Sequence, residues 1–106
     1  MIEPGKRPRV GVVVLGHYPE YIELAEQLRA SCFNIPVEVW SKMSHEEQWE
    51  ANRKFLDDAI SRGDEILLAT PLERLHIGSW YERELRYLAC RGFRPDAGAR
   101  RLVLVS

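Results

Sequence analysis

A chain of 106 residues with 45% hydrophobic and 29% charged side chains suffices for one domain with its own core, which excludes disordered and fibrous classes. Its 15 basic and 16 acidic residues are scattered and sum to a formal net charge of −1, leaving no broad positive field, so nucleic acid is not an expected partner. No apolar run approaches membrane-spanning length and the amino-terminal residues lack a signal-peptide core, so a cytoplasmic location with no membrane partner is expected.

Lys6, Arg7 and Arg9 form a small basic cluster that reads as the solvated flank of a strand. The strand follows as Val10-Gly11-Val12-Val13-Val14-Leu15, β-branched at most positions as in strands buried on both faces. Gly16-His17-Tyr18-Pro19 breaks it. From about Pro19 to Cys32, Tyr21, Leu24, Ala25, Leu28 and Cys32 recur at helical spacing and predict an amphipathic helix.

Pro36-Val37-Glu38-Val39-Trp40 is the expected second strand. Ser44 with Glu47 three residues on is a capping-box pattern, and the helix it opens carries Trp49, Asn52, Phe55, Leu56, Ala59 and Ile60 along one stripe and closes at Gly63. Residues 65–69 predict a third strand, ended by Thr70-Pro71 because proline cannot continue a central ladder. Residues 72–78 form a connector with a helical turn around Leu72 to Leu75. Ser79, three residues before Glu82, caps a third helix that runs to about Arg91.

Residues 92–99 read as a loop and 101–105 as a fourth strand, with Arg91, Arg94, Arg100 and Arg101 as a second solvated basic cluster. Strands and helices alternate throughout, the pattern of a mostly parallel four-stranded sheet with helices on both faces. Cys32 and Cys90 belong to no C-x-x-C pair and are expected as buried free thiols near helix ends, in a reducing compartment.

Gly11 and Gly16 make no G-x-G-x-x-G turn, and no G-x-x-x-x-G-K loop exists, which disfavours dinucleotide and nucleoside-triphosphate folds of those types. His17, His45 and His76 lack metal-ligand spacing, so no metal is expected. A nucleophilic Ser79 would need a base such as the nearby His76, but capping a helix accounts for the serine. Cys90 has no partner that would activate it.

Two carboxylates remain, Glu82 and Glu84, in the first turns of the helix beyond the third strand, where open α/β sheets keep their ligand sites. At ~100° per residue, Tyr81, Leu85 and Leu88 centre the apolar face, with Glu84 about 60° from it and Glu82 about 100° away. Glu84 is therefore the more buried candidate, able to act as acid, base or stabiliser of positive charge. Periodicity alone favours a plainer role for it, as a boundary residue reaching solvent or paired with Arg83 or Arg91.

Trp80-Tyr81-Glu82-Arg83-Glu84-Leu85 resembles the Trp-Cys-x-x-Glu-Leu motif of Toll/interleukin receptor (TIR) domains, which follows a strand, a Ser-Pro-like turn and a serine-bearing loop. The stretches Leu24 to Leu28, Val37 to Trp40 and Ala59 to Leu68 are similar to other parts of that family, so the resemblance extends from about Arg9 to Gly92. It implies a flavodoxin-like three-layer sandwich and, since many such domains cleave NAD, hydrolysis of the nicotinamide–ribose bond. Glu84 matches the family's catalytic glutamate, and would bind the ribose and stabilise an oxocarbenium-like centre. Gly16, His17 and Tyr18 after the first strand, Ser41, Lys42 and Met43 after the second, and Trp80 are the expected substrate-binding positions. NAD is then a substrate with no cofactor needed, and the expected partners are further copies of the chain or another TIR-like domain, whose assembly switches activity on.

The chain departs from the family at three places: Tyr81 replaces the usual cysteine, Ser41-Lys42 replaces the usual acidic residue, and a fifth strand and final helix are missing after residue 106. Residues 1–106 are accordingly expected as one TIR-like domain, either compact or a piece of a longer protein. Two other readings stand beside cleavage of NAD by Glu84. Gly78-Ser79-Trp80-Tyr81-Glu82 is similar to the Gly-Thr-x-x-Glu segment of nucleoside deoxyribosyltransferase-like enzymes, which would make Glu82 the nucleophile. A TIR-like scaffold that assembles and cleaves nothing is the non-enzymatic alternative.

Overall fold

The computed structural model describes residues 11–98 and 100–105, so the cluster Lys6, Arg7 and Arg9 lies outside the described residues. Strand β1 (Val12–Leu15) is buried at all four positions. Helix α1 (Glu20–Leu28) is shorter than its periodicity suggests. Arg29 adopts the left-handed conformation at φ 55° and gives its N–H to the carbonyls of Ala25 and Glu26, which stops the helix. Cys32 therefore leaves the helix and joins Ser31 in a short strand β2 (Ser31–Cys32), parallel to β1 with Val13 opposite Ser31 and Val14 opposite Cys32.

The strand expected at residues 36–40 is instead a one-turn helix, α2 (Val37–Trp40). The place beside β1 is already taken by β2, and the alternating valines have no buried face to meet: Val37 is 70% and Val39 52% exposed. A long helix, α3 (His45–Arg62), follows with its predicted ends intact. Ser44 Oγ accepts from the Glu47 N–H at 3.1 Å, Glu47 Oε1 accepts from the Ser44 N–H at 2.8 Å, and Gly63 caps the far end at φ 73°. Strand β3 (Glu65–Leu68) then pairs in parallel with β1 from Val12–Glu65 to Leu15–Leu68.

After a 3-10 turn at Leu72–Arg74 comes helix α4 (Trp80–Cys90). The segment expected as a loop contains strand β4 (Phe93–Pro95), and the expected last strand, β5 (Arg101–Leu104), is antiparallel. The sheet thus has five strands in the order β2-β1-β3-β5-β4, a correction to the four mostly parallel strands expected. β4 runs in the direction of β3 without touching it, because β5 slots between the two and pairs antiparallel with both. The few residues between β4 and β5 are too short a link for a parallel crossover, which takes about a dozen, and Arg101 closes the hairpin onto Asp96 at 2.8 Å.

The fold is therefore mixed α/β. Val13, Leu15, Ile66, Leu68 and Leu102 line one face of the sheet and pack with Leu56 and Ala59 of α3, Tyr81 and Leu88 of α4, and Phe93. Val12 and Val14 alternate with these, point the other way and are buried too, while α1 packs on β1 and β2. Helices on opposite faces are what right-handed crossovers demand when the chain steps from β1 to β2 and then back past β1 to β3. Where those steps diverge, at the carboxyl end of β1, the topology opens a crevice. Neither thiol is fully buried as expected: Cys32 is half-buried in β2 and Cys90 is exposed at the end of α4. No described helix is long and apolar enough to cross a membrane.

Candidate functional site

The crevice is a cavity of about 810 Å³ bounded by the loop after β1, by α1, by the segment from Phe33 to Trp40, by Asn52 of α3 and by the first turns of α4. Its size lies within the range of small-molecule sites.

Close backbone approach shapes one rim. A Cβ on Gly16 would lie 3.0 Å from both Ala69 Cβ and Thr70 Oγ1, so glycine lets the loops after β1 and β3 touch. Thr70 is fully buried and ties this corner together. Its hydroxyl accepts from the His17 N–H at 2.9 Å and donates to Glu20 at 3.1 Å, while its carbonyl accepts from the Tyr81 hydroxyl at 2.8 Å. Arg74 holds Glu20 at 2.7 Å and lowers its carboxyl pKa from the ordinary value. The His17 ring lies tilted against His76 at 4.6 Å, meets Tyr81 edge-on at 5.1 Å, and accepts the His76 backbone N–H at 3.2 Å.

The start of α4 separates its two carboxylates. Ser79 Oγ accepts from the Glu82 N–H at 3.2 Å and donates to the His76 carbonyl at 2.6 Å, so the serine caps the helix and its proton is not directed at an imidazole. Glu82 accepts from the Gly78 N–H at 2.9 Å and pairs with Arg86 at 3.3 Å, outside the crevice. Glu84 points into the crevice and is only 6% exposed. Neither arginine expected to pair with it does so: Arg83 lies over the Trp49 ring at 4.2 Å, and Arg91 reaches Asp57 at 3.0 Å. Among the described residues Glu84 has no ion-pair partner. Burial pushes its pKa up to about 8, with a hydrogen bond from the Asn52 side chain acting in the opposite sense.

The walls are apolar and aromatic. Trp80 meets Trp40 at 5.6 Å, Trp40 meets Phe33 at 5.8 Å, and Trp80 is backed by His45 at 5.1 Å and by Trp49, stacked at 6.3 Å. Of the positions singled out in the sequence, Gly16, His17, Tyr18, Trp80 and Glu84 line the crevice. Ser41 and Lys42 do not. They lie exposed just past α2, because a helical turn where a strand was expected carries the chain past the rim and leaves Trp40 facing inward. Met43 is likewise not a lining residue. Sequence reasoning missed Phe33, Trp40 and above all Asn52. The last had a usable signal, an amide in the middle of the apolar stripe of α3.

An unpaired carboxyl in such a place is half ionised near pH 8. Protonated, it donates a hydrogen bond; ionised, it stabilises positive charge in a setting with little water to screen it. Compared with protein-family models, curated proteins and solved structures, the chain matches none.

Proposed function

We propose that this protein is a TIR-like NAD-cleaving hydrolase in which Glu84 stabilises the breaking of the nicotinamide–ribose bond. The observation that carries the reading is a buried carboxylate without a cation partner, facing an aromatic-walled crevice at the carboxyl end of a parallel strand pair. We read the β2-β1-β3 half of the sheet, with α1 and α3, as the flavodoxin-like part of the fold, to which the β4–β5 pair is a local variation.

The chemistry follows from the charge. Nicotinamide leaves as a neutral base, taking the electron pair of the C1′–N bond, so no acid is needed to help it depart. Positive charge develops on the ribose as an oxocarbenium-like centre, and ionised Glu84 stabilises it. Water then adds to C1′ and loses a proton, giving ADP-ribose. Trp40 and Trp80, in edge contact with one another, offer aromatic surface to a planar ring, and His17 and Tyr18 border the opening.

The same geometry favours Glu84 over Glu82, the residue that a deoxyribosyltransferase-like mechanism would use, since Glu82 serves the helix end and Arg86. One observation favours an assembly role alongside or in place of catalysis. Val37 on the rim is 70% exposed and Ile77, in the loop beside His76, is 91% exposed, apolar surface that contact between copies would bury. A cytoplasmic setting fits both the substrate and the two free thiols.

Nicotinamide release by concentrated protein tests the reading. Glu84→Gln is expected to lower it by about 10²–10³-fold, whereas Glu82→Ala leaves it within a few-fold of wild type. Release that survives loss of Glu84 would defeat the mechanism. Self-association with no release, even in the assembled state, would leave the scaffold.

A further inference from the structure

Trp80 has a second side. Behind it, on the flank of α3 and α4, lies a groove of about 450 Å³ whose lining includes His45 and Trp49 of α3 and Trp80, Arg83, Arg86 and Tyr87 of α4. Trp80 lines the crevice as well, so its indole is a wall common to both hollows.

The two hollows differ in charge. Among the described residues the crevice is lined by the Glu84 carboxyl and by no lysine or arginine. The groove holds two arginines, and only one of them is spoken for. Arg86 pairs with Glu82 at 3.3 Å, which offsets both charges. Arg83 is exposed and has no carboxylate partner among the described residues. Its guanidinium lies over the Trp49 ring at 4.2 Å and over the Trp80 ring at 5.6 Å, the two indoles being within 16° of parallel. Stacking occupies the face of a guanidinium, holds it in place and leaves its N–H edge free to donate. A donor edge so placed matches a phosphate.

NAD brings both charges. Its pyrophosphate is anionic, and drawing that group into the crevice would set it beside Glu84 with little water and no cation to compensate. Its pyridinium ring is cationic and suits the carboxyl and the aromatic walls. The dinucleotide is thus a cation joined to an anion, and the two sides of Trp80 present the opposite charges in that order.

We propose that the groove behind Trp80 is a phosphate subsite, in which the Arg83 guanidinium donates to the pyrophosphate of NAD while the nicotinamide riboside end occupies the crevice. The proposal rests on the reading of the crevice as the place where the nicotinamide–ribose bond is cleaved. It adds the residue that makes the protein prefer a dinucleotide to a bare nucleoside, a preference that chemistry at C1′ does not require.

Binding is followed by stopped-flow quenching of tryptophan fluorescence, since Trp49 and Trp80 line the groove, Trp40 and Trp80 line the crevice, and the signal precedes turnover. The probes are NAD and nicotinamide riboside, which ends at the 5′-hydroxyl where NAD continues into its phosphates. Wild type should bind NAD about tenfold more tightly than the riboside, the scale of one hydrogen bond to a charged group. In Arg83→Gln that preference should vanish. Arg83→Lys keeps the charge but loses the planar fork, and its preference should fall between the two. Should Arg83→Gln not fold, the side-chain Nε–H resonance of Arg83 in wild type gives the answer: it should shift with NAD and stay put with the riboside. Equal binding of the two probes by wild type, binding of neither, an undiminished preference in Arg83→Gln, or an Arg83 resonance indifferent to NAD would overturn the subsite. Nicotinamide release is scored separately. Release from both probes without preference removes the subsite and leaves the cleavage reading, whereas an Arg83-dependent preference without release keeps the subsite and removes cleavage.

Discussion

Glu84 is raised above an ordinary glutamate because burial penalises its charge, and this has opposite consequences for activity and stability. Folded, the group holds its proton up to about pH 8; unfolded, it releases it near 4.5. Between those values the unfolded chain binds fewer protons than the native one, so stability falls as pH rises through the window, by at most ~1.4 kcal/mol per unit, and levels off above it. Urea unfolding at pH 5, 7 and 9 should show this slope in wild type and a much flatter profile in Glu84→Gln. Activity should run the other way. The ionised form is the one that stabilises positive charge, so kcat/KM for nicotinamide release should climb with pH and flatten above an apparent pKa near 8. A rate that falls with pH would mean that the protonated carboxyl is the working form. The distinction between Glu84 and Glu82 was legible in the sequence, because helix geometry fixes which residue turns inward once the apolar face is known. Asn52 was legible only as an oddity. Its partner comes from another helix, and nothing local to residues 44–63 says that α3 crosses α4 at that height.

At the scale of elements, what could be read was what is local. The two ends of α3 are set by Ser44, Glu47 and Gly63, whose interactions reach no further than one turn, and they fall where the pattern puts them. Ser44→Ala should remove the cap and cost about 1 kcal/mol in a chemical denaturation series, without altering nicotinamide release, since the site lies further along the helix. Residues 36–40 misled for the converse reason. Val-Glu-Val alternation is a strand signal only if a sheet edge is there to receive it, and Ser31–Cys32 had taken that edge. The left-handed Arg29 that makes room for this strand is not a residue type that announces such a conformation. The consequence for the site is concrete: a strand would have led Ser41 and Lys42 to the rim, whereas the helical turn delivers Trp40.

At the scale of the whole molecule, the alternation of strands and helices identified a layered α/β arrangement but not the strand order near the end of the chain. Phe93 is buried in the core under α4, and Arg94 and Pro95 continue it as an edge strand, within a stretch whose glycines, proline and aspartate read as a turn. The β3–α4–β4 passage is a parallel crossover that leaves one strand position empty between its two strands, and β5 fills it in the reverse direction. β5 is therefore an interior strand, held by neighbours on both sides.

Such a strand is in principle separable. A chain ended after Ala97 would keep β3 and β4 apart by about two strand spacings, ~9.6 Å, with backbone donors and acceptors lining both sides of the slot. A synthetic peptide spanning residues 99–106 should then bind in trans and restore the thermal transition of the intact chain, followed by circular dichroism. A peptide with Leu102→Asp, whose side chain would enter the core, should not. If the shortened chain folds equally well alone, or ignores the peptide, β5 is an ornament on the sheet and not its keystone. Restoration would show that β5 completes the sheet without a covalent link to β4.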